Sequence, residues 1–414
     1  MDGIHTISTN MMQTTAIAIV MLYVGKFLRK NVNFFDRFCI PAPVIGGFLF
    51  AIIHLILKSS GIATFEMDTT LKDPFMMVFF ASIGIGANLE TLKKGGKGFV
   101  IFLILSVVLV AFQNIIGMGL AKLIGQNSLL GLVCGSITMV GGHGTAGAWG
   151  PELEAMGLPA GEVVALAAAT FGVIMGSLIG GPIGSARIKR HNLKPNPELL
   201  VEPDSEEEAI IEKDHPLVVD DFLKVFALIF ISVGLGAILK QFLYDNVSIV
   251  GTPLNLPEYV AAMIFAAIYV NTIGKKDGWE INQRANDICG AMGLNIFLSI
   301  ALITLDLTQL KAVAGPMLII LFAQTIFMAI FAYFITYKVM GSDYDAAVLA
   351  GGMCGFGMGA TYNALANMDA ITEKYGPAPK AYFILPMVGA FAIDIINVLM
   401  ITVSVSYTHL RAHE

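Results

Sequence analysis

Residues 129–150 read LLGLVCGSITMVGGHGTAGAWG, and residues 346–366 read AAVLAGGMCGFGMGATYNALA. Both are too broken by glycine for a comfortable lipid-facing helix, yet too apolar for a solvated loop. Irregular backbone survives at membrane depth where protein or a watery cavity surrounds it, so both stretches read as re-entrant hairpins. They are also copies of one another. At an offset of 216, Gly135 aligns with Gly351, Gly141 with Gly357 and Thr145 with Thr361. The same offset pairs Pro41 with Pro257, and an offset of 218 pairs Leu89, Leu92 and Lys93 with Leu307, Leu310 and Lys311. The repeat therefore extends well beyond the hairpins.

The surrounding chain has the composition that such loops require. Of 414 residues, 56% are hydrophobic and 14% charged, against about 25% charged in a soluble domain. An ordinary cytosolic enzyme is excluded. A spanning helix needs about 20 apolar residues, and ten segments qualify, at roughly 8–28, 40–57, 74–92, 99–123, 161–186, 217–239, 256–274, 288–305, 315–338 and 380–403. Stretches such as Phe99 to Leu120 are apolar on every face and lack period-two alternation, which favours a helical bundle over a barrel. The first segment has neither a basic leader nor a small-residue cleavage site, so it reads as a retained span.

The expected fold is an all-α polytopic membrane protein of ten helices in two five-helix repeats. Each repeat carries its hairpin between the fourth and fifth spans, and an odd span number inserts the second copy upside down. The first repeat occupies 1–190 with its hairpin at about 129–150, and the second occupies 217–405 with its hairpin at about 346–366. Between them, 191–216 is a solvated cytoplasmic linker rich in proline and charge, and its Glu206–Glu208 run is assigned no chemistry. The polar end SYTHLRAHE, 406–414, reads as a non-native tail. Of the 25 basic residues, this model with an external N-terminus places 19 inside and 6 outside, as the positive-inside rule demands. Both termini are then extracytoplasmic. With 31 acidic residues and no basic stripe, the chain offers nothing to a nucleic-acid backbone. The four cysteines, Cys39, Cys134, Cys289 and Cys354, lie apart in apolar surroundings and read as buried free thiols.

The motifs GSITMVGGHGTAGAW, YDAAVLAGGMCGFGMGAT, ANMDAITEKYGP and PMVGAFAIDIINVLM, with IPAPVIGG and DPFMMVFFASIGIGANL, resemble the bacterial sodium/glutamate symporter family from about Ile17 to Ile401. The resemblance implies sodium-coupled glutamate uptake, a homodimer, and alternating access with the hairpins in a moving unit. Sodium is then the coupling ion, and no organic cofactor is expected. Tyr362 and Asn363 stand where the family suggests a proline-threonine pair, a departure that would reshape the pocket.

Candidate substrate-binding residues follow from the hairpins. The first supplies Ser136, Thr138, Gly141, Gly142, His143, Gly144 and Thr145. Glycines let backbone amides approach a carboxylate, and hairpin helix ends direct partial positive charge towards an anion. The second supplies Gly355, Gly357, Gly359, Thr361 and Asn363; its glycine spacing imitates a dinucleotide loop, but no strand precedes it. Asp394, inside the last span, costs about 2.5–3.5 kcal/mol to insert when ionised. A sodium ion or a proton would neutralise it, with Asn397 three residues on and Asn88 and Asn295 as further oxygen donors. No arginine falls inside an expected span to hold a second carboxylate, so hairpin amides, helix ends and co-transported cations must meet the substrate charge. Proton coupling, another dicarboxylate or hydroxy acid, and a channel with opposed loops stay open as alternatives. Neither an H-E-x-x-H pair nor a recognisable serine-histidine-acid set supports an enzyme.

Overall fold

The computed structural model describes residues 5–38, 40–87, 96–195, 217–249, 252–253, 257–275 and 280–412. Cys39, Asn88, Leu89, Leu92, Lys93 and most of the linker lie outside them. The chain order is β1 (His5–Thr9), α1 (Met11–Asn31), α2 (Asn33–Arg37), α3 (Ala42–Ser59), β2 (Ala63–Met67), α4 (Lys72–Gly86) and α5 (Gly96–Leu123). The first hairpin follows, as α6 (Ser128–Leu132) running through a π-helical turn (Val133–Ile137), then α7 (Gly142–Ala155), and α8 (Gly161–His191) closes the first half. The second half holds α9 (Val219–Asn246), β3 (Ser248–Ile249), β4 (Thr252–Pro253), α10 (Glu258–Thr272), α11 (Gln283–Ile303) and α12 (Ala314–Ile330, extended by a π-turn to Val339). Its hairpin is α13 (Tyr344–Gly357) and α14 (Thr361–Tyr375), followed by α15 (Pro379–Met387), a π-turn (Val388–Ala392) and α16 (Ile393–Ala412).

Local chemistry sets these boundaries. Asn10 accepts from the N–H groups of Met12 and Gln13 while Gln13 accepts from Asn10 N, a reciprocal cap for α1. Asn127, Asn282 and Asp343 cap α6, α11 and α13 by accepting from first-turn N–H groups. Helices lie on each of the ten expected spans, residues 88–92 of the third being outside the described ones, and among the described residues seven helices are long and apolar enough to cross a membrane. Those seven make the chain a polytopic membrane protein. The shorter ones are α4 and α10, 15 residues each, and the tenth segment is divided by the π-turn before α16. Two short ribbons join loop ends; β1 pairs in parallel with β2 and β3 antiparallel with β4.

The helices pack as two bodies. One contains α1, α3 and α4 from the first half with α9, α10 and α11 from the second; the other contains α5, α8, α12, α15, α16 and both hairpins. Each half of the chain thus gives three helices to the first body and a helix, a hairpin and a closing helix to the second. Packing within bodies is dense and packing between them is sparse. Side-chain amides knit the helices at depth: Gln113 Nε2 donates to Gly357 O and Gln324 Nε2 to Gln113 O, each at 2.7 Å. All 14 residues of α13 are buried, so its glycines pack against protein instead of lipid. Cys134, Cys289 and Cys354 are buried free thiols, as expected.

Candidate substrate site

A cavity of about 870 Å³ opens between the two bodies, within the usual range for small-molecule sites of about 300–1,000 Å³. The hairpin body contributes both tips, Gly141 to Thr145 and Gly359 to Tyr362, together with Gly389 and Asp394. The other body contributes Phe79, Phe80 and Ile83 of α4, Leu294, Asn295 and Leu298 of α11, and Pro41 to Pro43. At one end the wall is charged, with Lys26, Arg29 and Lys30 from the last turns of α1 and Asp36 beside them. Arg29 Nε lies 3.4 Å from Asp36 Oδ1.

The hairpin tips touch. Gly142 opens α7 with φ +59°, and a Cβ added there would stand 2.6 Å from Gly359 O across the junction. Only glycine meets both conditions without strain. Gly144 faces Phe79, which a Cβ would approach to 2.7 Å. His143 Nε2 is 3.0 Å from Thr170 Oγ1, whose own proton goes to Leu166 O at 2.9 Å. The imidazole therefore donates through Nε2, leaving Nδ1 as an acceptor. Thr361 Oγ1 donates to Gly389 O at 3.1 Å, tying the second tip to the π-turn. Asp394 is half-buried in the first turn of α16, with no cation at ion-pair distance among the described residues. The arrangement can surround a small anion with the backbone N–H groups and hydroxyls of the tips, facing an aromatic wall from α4.

The sequence is similar to known proteins over nearly its whole length. A family model described as sodium/glutamate symporter matches residues 7–377. A protein of Escherichia coli K12 named sodium/glutamate symporter is 43% identical over 392 residues, covering 94% of this chain and 95% of that protein. One of the same name from Haemophilus influenzae is 40% identical over 414 residues, covering 99% and 100%. The chain belongs to the sodium/glutamate symporter family. It is a family of transporters, not enzymes.

Within this family member the cavity gathers Gly141, Gly142, His143, Gly144, Thr145, Gly359, Thr361, Asn295 and Asp394. The other expected residues lie behind it. Thr138 bonds Val133 O at 2.7 Å. Asn363 is fully buried and clamps α8, donating to Val173 O at 3.1 Å and accepting from Ser177 Oγ. Gly355 and Gly357 are packed in the core, and Ser136 and Asn397 meet each other away from the cavity. Asn295 bonds Ala291 O in its own helix.

The two threonines of the repeat are not strictly equivalent. The entering arms start 216 residues apart, at Ser128 and Tyr344, but the returning arms start 219 apart, at Gly142 and Thr361. Thr145 is thus the fourth residue of its helix and Thr361 the first. Residues missed from sequence are Lys26, Arg29, Lys30, Phe79, Phe80 and Phe356. The basic trio enters the sequence reading only through the orientation count, and its spacing on the last turns of α1 is the available signal.

Proposed function

We propose that the protein imports glutamate with sodium across the bacterial inner membrane by alternating access. In this reading the ten segments span the bilayer as two inverted repeats, both termini lie outside, and the two glycine-rich hairpins are re-entrant. The carrying observation is the cavity between two sparsely joined bodies, floored by the touching hairpin tips. The symmetric division of each chain half between the bodies supports inverted repeats, and buried hairpin arms support re-entry. The charged mouth lies at the end of α1 that the basic-residue count assigns to the cytoplasm, so the cavity faces inward. Arg29, Lys26 and Lys30 draw the anion, the tip amides and the Thr361 and Thr145 hydroxyls hold it, and sodium balances its charge alongside Asp394. The name sodium/glutamate symporter carried by relatives at 40–43% identity supports the substrate and ion. A homodimer belongs to the same proposal; its mass in detergent would be twice 44.3 kDa.

The test is accumulation of labelled L-glutamate in proteoliposomes under an imposed sodium, potassium or proton gradient, with aspartate, malate and citrate as competitors. Saturable, sodium-driven uptake and counterflow support the proposal. Proton-driven uptake without sodium overturns the coupling, and linear conductance overturns the carrier. The half-burial of Asp394 without an ion-pair partner among the described residues is what favours a proton as the second reading.

A further inference from the structure

The entering arm of the first hairpin crosses α5 and α16 at a cluster of buried neutral side chains. Asn114 Oδ1 accepts from Ser136 N at 2.9 Å, and Asn397 Nδ2 donates to Ser136 O at 3.2 Å. Ser136, Asn397 and Asn114 are 0%, 1% and 2% exposed. These bonds occupy the main chain of Ser136 and one end of each amide. They leave Ser136 Oγ, Asn397 Oδ1 and the Asn114 Nδ2 donor without a hydrogen-bond partner among the described residues, so the cluster offers two free oxygens beside one free N–H group. The helix is broken at the same place, with Gly135 at φ −95° and ψ −139°. A Cβ on Gly135 would stand 2.7 Å from Asn114 Oδ1, so the chains approach closely there.

Buried acceptors without donors are disfavoured and rare. Two of them, held on facing elements at a broken helix, match the way discontinuous membrane helices offer oxygens to a small hard cation. The donors are neutral, which suits a monovalent ion; a divalent one would call for carboxylates. An amide and a hydroxyl do not take up a proton near neutral pH. Asp394, three residues before Asn397, lines the cavity while Asn397 does not, and it adds negative charge nearby without a hydrogen bond to the cluster among the described residues.

We infer that Ser136 and Asn397 form a sodium site behind the first hairpin, distinct from the substrate cavity and from Asp394. The inference rests on the sodium-coupled reading above. A cation there joins the hairpin to α16, so ion binding sets the tip that receives glutamate.

The experiment uses the full-length protein, purified and reconstituted, as wild type, Ser136→Ala and Asn397→Leu. Two readouts are taken: half-saturating sodium for glutamate uptake, and the rise in thermal midpoint when sodium chloride replaces choline chloride. Loss of one oxygen ligand is expected to raise half-saturating sodium about tenfold or more and to shrink the sodium-induced rise. In choline chloride Ser136→Ala should melt at or above the wild-type temperature, because an unpartnered buried group has been removed; a purely structural serine would lower it. Unchanged half-saturating sodium in both variants, with wild-type uptake still sodium-driven, overturns the site and leaves the transport reading standing. Wild-type uptake and stability indifferent to sodium overturn both.

Discussion

Replacing Gly142 by alanine tests whether contact between the hairpin tips is needed for transport. The φ of +59° at this residue costs an L-residue about 1–2 kcal/mol. The new Cβ would lie 2.6 Å from Gly359 O, about 0.8 Å inside ordinary contact, and that neighbour is backbone that cannot swing aside. The tips must separate by most of this amount, and a misplacement of about 1 Å in a binding constellation can lower a rate about 100-fold. Glutamate uptake per KM in proteoliposomes should fall about 10- to 100-fold, with the larger part in KM. Gly157→Ala is the control, since φ there is +95° but nothing lies within 4 Å of the added carbon. It pays a backbone penalty without touching the tips, and should transport within about twofold of wild type. If Gly142→Ala is folded and transports as well as Gly157→Ala, the tip contact does not form the substrate floor.

Lys72 Nζ and Glu162 Oε1 are 3.1 Å apart and join the two bodies at the end away from the basic mouth, with side chains 14% and 20% exposed. Lys72→Met or Glu162→Gln alone should destabilise by about 1–3 kcal/mol by stranding the other charge, and the double variant by less; additive losses in thermal midpoint would refute this coupling. Thr361→Val removes the hydroxyl that donates to Gly389 O at 3.1 Å and should raise the KM for glutamate about 5-fold or more, and an unchanged KM would remove Thr361 from the site. Burial pushes the Asp306 carboxyl up, but the Lys58 ammonium at 2.7 Å and two hydrogen bonds from Thr308 outweigh it and hold it below the usual range. A carboxyl depressed in the folded state stabilises above its unfolded value of about 3.9 and loses that contribution as pH falls through the folded value. The gap in thermal midpoint between wild type and Asp306→Asn should therefore narrow from about pH 4 downward. A gap constant with pH would contradict the pairing.

The helices were legible because lipid demands long apolar runs: among the described residues seven of the expected spans coincide with a helix long and apolar enough to cross a membrane, and the others meet shorter or divided helices. The hairpins were legible because glycine density at Gly141 to Gly144 and Gly355 to Gly359 conflicts with both lipid and water. What could not be read was which polar residues turn inward to the substrate and which bond to neighbouring helices. Asn363 and Asn397 are amides at hairpin and span positions, but each meets a carbonyl brought near by tertiary packing, Val173 O and Ser136 O. Helical spacing carries no record of those crossings. The basic mouth was hidden for a related reason: Lys26, Arg29 and Lys30 are over 110 residues from either hairpin tip, and only the folding of α1 against α3 and α11 brings them to the cavity. The three extra residues of the second tip, which displace Thr361 relative to Thr145, escaped because glycine matches aligned the entering arms alone.

The measurement that bears most directly on the central claim is glutamate accumulation in proteoliposomes driven by an inward sodium gradient, for wild type and Asp394→Asn. The account predicts saturable accumulation by the wild type that collapses when potassium replaces sodium, and loss of sodium-driven accumulation in the variant. Accumulation that follows a proton gradient and ignores sodium, or a variant that accumulates glutamate as the wild type does, would contradict it.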